Sequence, residues 1–271
     1  VGDKTAQREH LFPTLVSGRP NPEAARLEDL TRKIGGRGPV KGRPRRALYT
    51  PSRVEVVDRL NEEGLLPSIF FIFSRNGCNE AAQSCLKQGL RLTSPDERKR
   101  IKEIIDSRLD DIDDDDLDVL GYPQFVAQLE AGIAAHHAGM VPPFKETVEA
   151  CFVEGLVKIV FATETLAVGI NMPARSVVIE KLSKFTGEHH EFLTAGEFTQ
   201  LTGRAGRRGL DDKGHAVVLW NPFVTFEQVA GLASSRTFRL TSSFRPTYNM
   251  AVNLVRSYSS EEARHLLNLS F

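Results

Sequence analysis

The run Ser68-Ile-Phe-Phe-Ile-Phe73 constrains the fold more than any other stretch of the chain. It is continuously apolar, with β-branched and aromatic residues, and it lacks the polar alternation of a strand with one wet face. A strand buried on both sides reads this way, as in a parallel sheet covered by helices on both faces. Further strand-like runs follow at Gly132–His136, Val157–Ala162, Ser176–Glu180 and Ala216–Trp220. Helical periodicity lies between most of them, at about 78–89, 95–109 and 123–131. Thr50-Pro-Ser is expected to cap an earlier helix carrying Val54, Val57 and Leu60, with proline in its first turn. Strands alternating with helices predict an α/β fold with a doubly wound parallel sheet.

The flanks differ from this pattern. Residues 1–49 are expected to form an N-terminal arm and a flexible basic linker. In the arm, Leu11–Val16 would be an edge strand or docked segment, and 20–34 a short polar helix. Between Arg32 and Arg46 stand seven basic residues, four glycines, two prolines and no acid, a composition that cannot bury a core. The expected lobe covers 50–222. Beyond Pro222 only helical patterns remain, at about 225–234, 246–257 and 260–268, so 223–271 reads as a helical extension.

Charge narrows little, because 35 basic and 35 acidic residues balance. A nucleic-acid partner must be argued from local patches. Cys78, Cys85 and Cys151 are too few and too scattered for a zinc site or disulfide framework, and read as reduced thiols of a cytoplasmic protein. No apolar run approaches membrane-spanning length, so no membrane partner is expected. The first residue is Val1, which reads as a processed product or an excised fragment.

Ligands of open α/β sheets bind beyond the carboxyl ends of the strands. There the sequence places Ser74-Arg75, then His136-His-Ala-Gly139, then Thr163-Glu-Thr-Leu-Ala-Val-Gly-Ile-Asn-Met-Pro173. A fourth polar cluster, Gly196-Glu-Phe-Thr-Gln-Leu-Thr-Gly-Arg-Ala-Gly-Arg-Arg-Gly209, precedes the last strand and is expected at the same edge. Drawn as a helix, it puts Gln200, Arg204 and Arg207 within about 60° of one another. Guanidinium forks so arranged suit a bidentate grip on phosphate oxygens. His136 and His137 have no third metal ligand at fitting spacing, and no metal site is assigned. Seven aspartates between Asp110 and Asp118 lack the glycine and terminal glutamate of a calcium loop and read as a solvated acidic turn.

These strings resemble the second RecA-like lobe of a superfamily 2 DExH-box helicase of the superkiller (Ski) and exosome-associated type. Gln200-x-x-Gly-Arg-x-Gly-Arg-Arg-Gly209 is similar to motif VI, Phe161–Ala174 to motif V, Ala135–Gly139 to motif IVa, and Phe71–Arg75 with Cys78 and Glu80 to motif IV. Ser243–Arg256 resembles the beginning of that branch's winged-helix region. The resemblance implies that Gln200, Arg204 and Arg207 face an ATP triphosphate as catalytic residues, with Gly169 and Asn171 completing the nucleotide contacts. It implies that Ser74, Arg75, His137, Gly139, Thr163 and Glu164 contact single-stranded RNA or DNA.

No Gly-x-x-x-x-Gly-Lys-Ser/Thr and no Asp-Glu-x-His occur in the sequence. The phosphate cradle and the Mg²⁺ carboxylates are therefore expected on a separate first lobe, with this chain inactive alone. The expected partners are that first lobe, one nucleic-acid strand and an RNA-degradation machinery. A nucleic-acid-binding or partner-docking module without ATPase activity, and a phosphate-ligand enzyme of α/β type, stay open on the sequence.

Overall fold

The computed structural model describes residues 2–3, 8–35, 48–110, 112–167, 171–185, 188–235 and 247–268. Most of the basic stretch 32–46, the site candidate Gly169 and residues 243–246 lie outside them. The described chain forms two compact units, Val1–Ser235 and Arg236–Phe271.

The first unit is built on a five-stranded parallel sheet. Its strands are β1 (Ser68–Phe71), β2 (Ile133–His136), β3 (Ile159–Ala162), β4 (Ser176–Ile179) and β5 (His215–Val218). They lie in the spatial order β5-β4-β1-β3-β2. The register aligns Ser68 with both Ile159 and Ser176, and Ile133 with Ile159. The first of these five strands in sequence is thus the middle of the sheet, which accounts for its unbroken apolar run.

Strand pleating divides the core in two. Ile69, Phe71, Ala134, Val160, Ala162, Val177 and Ile179 face one layer. There they meet α3 (Pro95–Leu109), α4 (Tyr122–Glu130) and α5 (Pro142–Val153). Phe70, Ile133, Ala135, Ile159, Phe161 and Val178 face the other, with α1 (Arg53–Glu62) and α2 (Arg75–Lys87). Helices therefore cover both faces, and the sheet is doubly wound.

Local chemistry sets the helix starts. Ser94 accepts the Glu97 N–H while the Glu97 carboxylate accepts the Ser94 N–H, a capping box with proline following the cap. The start of α1 differs from the expected one. Ser52, boxed with Glu55, is the cap, Pro51 lies outside the helix, and the Thr50 hydroxyl instead donates to Trp220 O at 2.8 Å. The side chain was recruited by a residue distant in sequence, and the next hydroxyl took the cap.

In the arm, Leu15–Val16 pairs with Arg19–Pro20 as a small hairpin, and a helix follows at Pro22–Gly35. Within the acidic stretch a short helix, Asp114–Val119, forms and buries Leu117. The first unit also contains α6 (Ala195–Thr202) and α7 (Phe226–Ser234). The second unit holds helices at Tyr248–Ser257 and Ser260–Asn268. No helix among the described residues is long and apolar enough to cross a membrane.

Candidate functional site

Three adjacent strands, β1, β3 and β2, deliver polar residues to the carboxyl edge of the sheet. After β1, Ser74 turns the chain into α2, and its hydroxyl accepts the Gly77 N–H at 3.1 Å. Arg75 opens the helix and is exposed. Its stem reaches the loop after β2, where a Cβ added to Gly139 would stand 3.3 Å from Arg75 Cδ. Beyond β3, Thr163 is buried with its hydroxyl 2.9 Å from that of Thr165, while Glu164 is exposed on the following turn.

The two histidines play different parts in this edge. His136 is buried, with Nε2 2.9 Å from the Glu149 carboxylate and Nδ1 lacking a hydrogen-bond partner among the described residues. Burial lowers its pKa, and Glu149 opposes the shift. His137 is also buried, with Nε2 3.0 Å from Asn79 Oδ1. Its Nδ1 accepts the Gly139 N–H at 3.1 Å. Those two bonds assign the neutral tautomer with the proton on Nε2. Burial lowers the His137 pKa and the nearby Arg75 charge adds to the effect. His137 therefore holds the loop from beneath, and the Gly139 N–H is engaged inside the protein.

The arginine cluster departs from its expected geometry in two ways. First, α6 ends at Thr202, with Gly203 as its C-cap, so Arg204 and Arg207 do not continue a helical stripe with Gln200. Gly206 takes φ +91°, which lies in the left-handed region that ends a helix. Gln200 remains exposed on the last turn of the helix.

Second, the cluster lies at the amino edge of β4 and β5, opposite the residues after β1, β3 and β2. Ala174, which leads into β4, donates its N–H to Arg204 O at 2.9 Å and accepts the Gly206 N–H at 2.7 Å. In a parallel sheet the residues that lead into a strand stand at its amino end; Ala174, two residues before β4, bridges Ala205, and Gly214, immediately before β5, packs on the same segment. Gly214 packs so closely beneath this segment that a Cβ there would fall 2.3 Å from Ala205 O.

Within that framework the two guanidiniums are placed separately. Arg204 donates to the carbonyl of Ala167, in the turn after β3. Arg207 is held by Asp211 through Nε to Oδ2 at 2.8 Å and Nη2 to Oδ1 at 2.9 Å. The same carboxylate accepts the Arg207 N–H at 3.0 Å. The Arg207 guanidinium bonds hold the Asp211 pKa down at about 2, against the opposing effect of burial. Asn171 is exposed between the two clusters in sequence. A ribbon of Ser183–Phe185 and His190–Phe192 joins the start of α6 through Lys184 and Glu197. Asp211, Asn79 and Ala167 were not singled out from the sequence. Only Asp211 had a local signal, four residues beyond Arg207 across a glycine turn.

The family described as Helicase conserved C-terminal domain matches residues 109–209. The chain is 56% identical over 250 residues to a probable helicase HelY of Mycobacterium tuberculosis (strain ATCC 25618 / H37Rv), covering 92% of this chain and 27% of HelY. It is 37% identical over 225 residues to the exosome RNA helicase MTR4 of Homo sapiens, covering 81% of this chain and 21% of MTR4. To the antiviral helicase SKI2 of Saccharomyces cerevisiae it is 38% identical over 203 residues, covering 74% of this chain and 16% of SKI2. It thus spans well under a third of each of these relatives.

Proposed function

The chain belongs to the superfamily 2 DExH-box helicases of the Ski and exosome-associated type, and we propose that it serves as the second motor lobe of an ATP-dependent RNA helicase. The observation that carries this reading is the segment between β3 and β4. It leaves β3 at Thr163, beside the exposed residues of the carboxyl edge. It reaches β4 at Ala174, hydrogen-bonded to the arginine segment at the other edge. Arg204, bonded to Ala167, ties the two ends together. A segment with one end at each cluster is what a lobe needs to couple a nucleotide to a strand.

In this reading Ser74, Arg75 and Glu164 line the path of one strand, with Thr163, Gly139 and His137 shaping the loops that carry them. Such a surface meets the sugar–phosphate backbone and carries no base readout, so affinity falls as salt rises. At the other edge Arg207, Arg204 and Gln200 face the triphosphate, and Asn171 stands near the ribose. The residues present fit an anionic group there, because Asp211 binds only part of the Arg207 fork. Bound ATP supplies the phosphoryl group whose transfer to water drives the cycle. The magnesium and the phosphate cradle belong to a first lobe, while this chain contributes positive charge where negative charge develops. The resemblance to an exosome RNA helicase supports RNA over DNA as the strand and an RNA-degradation machinery as partner.

The test is Arg207→Ala in the two-lobed helicase that contains this chain. RNA-stimulated ATP turnover is expected to fall by about 10³-fold or more, with single-strand affinity nearly unchanged. Loss of strand binding in equal measure would instead make this a nucleic-acid-binding module.

A further inference from the structure

We propose that Asp211 is the positioning residue for Arg207, fixing the guanidinium plane so that its outward N–H bonds meet the triphosphate without searching for it. The proposal rests on the motor reading above and adds a residue to it. Arginine carries five N–H donors in a planar fork. Asp211 binds Nε–H and one hydrogen of Nη2 in parallel bonds, which leaves three donors on the opposite rim. A side chain gripped from one side this way loses rotation about its last torsions, yet keeps a bidentate face for phosphate.

Four features make Asp211 suited to that task. Its side chain is 3% exposed, so water does not compete for the carboxylate. The carboxylate also accepts the Arg207 backbone N–H, which ties the head of the side chain to its own root. Arg175, at the start of β4, lies 3.6 Å from Oδ1 and helps keep the carboxylate in place and charged. The Leu210 and Asp211 N–H groups both donate to Arg207 O at 3.0 Å, so the turn that carries Asp211 is itself fastened to Arg207. All of these bonds lie in the turn 207–211 or on the Asp211 carboxylate. Apart from the Arg175 contact, they converge on Arg207, two on its guanidinium and three on its main chain.

The experiment is steady-state ATP turnover in the two-lobed helicase, with saturating single-stranded RNA, for Asp211→Asn, Arg207→Lys and the double variant. Asp211→Asn keeps the shape and removes the paired charged acceptor; kcat is expected to fall roughly 10- to 100-fold, as for other lost orienting groups. RNA affinity should stay near the parent value, while the melting temperature falls because the carboxylate that accepts the three Arg207 bonds is lost. Arg207→Lys, which keeps the charge but cannot be held by two parallel bonds, should lose kcat comparably, and adding Asp211→Asn to it should cost less than about threefold more. A kcat for Asp211→Asn within about twofold of the parent overturns the proposal, as does an equal fractional loss in the Arg207→Lys background. Should Asp211→Asn fail to fold, full turnover by Arg207→Lys overturns it alone. If Arg207→Ala keeps full turnover, the motor reading and this one fall together, which separates that failure from the others.

Discussion

The closest backbone approach in the arginine cluster makes a sharp test of the structure, through Gly214→Ala. The added methyl would lie 2.3 Å from Ala205 O, 2.4 Å from Ala205 C and 2.6 Å from Gly206 N. Comfortable heavy-atom contact begins near 3.5 Å, so the two segments would have to part by about an ångström. All three clashing atoms are backbone, and none can swing away as a side chain does. Nor can the segment slide, because it is bonded on its far side to Ala174. Overpacking usually costs about 1–3 kcal/mol, and a clash with pinned backbone belongs at the upper end. For a chain of this size that corresponds to a melting temperature lower by about 5–10 °C.

Gly231→Ala supplies a control of opposite sign. Gly231 lies inside α7, and a Cβ there meets nothing within 4 Å. Replacing an unneeded helical glycine with alanine gains roughly 0.5–1 kcal/mol. Thermal melts of the two variants beside the parent chain, followed by circular dichroism, measure both. A Gly214→Ala variant melting within about 1 °C of the parent would refute the packing of 203–209 on 214. So would a Gly231→Ala variant that loses more than Gly214→Ala.

Two further outcomes follow from the carboxyl edge. His136 and His137 both have pKa values lowered mainly by burial, so below the unfolded value of about 6.5 the unfolded chain takes up protons that the folded chain refuses. Stability should therefore drop as pH falls from 7.5 to 5.5, well above the window from about pH 4 to about 2 in which the Asp211 contribution is lost, and urea titrations should show the slope flattened in a His136→Gln/His137→Gln variant. At the start of α2, Ser74→Ala should cost about 1 kcal/mol for the lost cap. Ser74→Asp should keep the cap while placing a negative charge on the strand path, so equal melting with weaker single-strand binding is the expected result, and unchanged binding would remove Ser74 from that path.

The elements that depend on near neighbours were legible in the chain. Continuous apolar runs marked the strands because burial on both faces admits no polar alternation, as at Phe70 and Phe161. The α3 start was legible because the Ser94–Glu97 box closes within a single turn. The order of polar clusters along the chain also carried the family resemblance, since a motif is local by construction.

The remaining features depend on contacts between residues far apart in sequence. Nothing local says that the first strand of the sheet is its centre, or that 203–209 is at the edge opposite Ser74 and Thr163. His137 looked available for a ligand until Asn79, 58 residues away in sequence, and Gly139 occupied its two nitrogens. Arg204 found Ala167 at a separation of 37 residues. The helical reading of 196–209 failed for the same reason. Helix propensity sums over neighbours, whereas the chain at Gly203 leaves the helix to bond with Ala174, and the long-range bonds win where two glycines make the departure cheap.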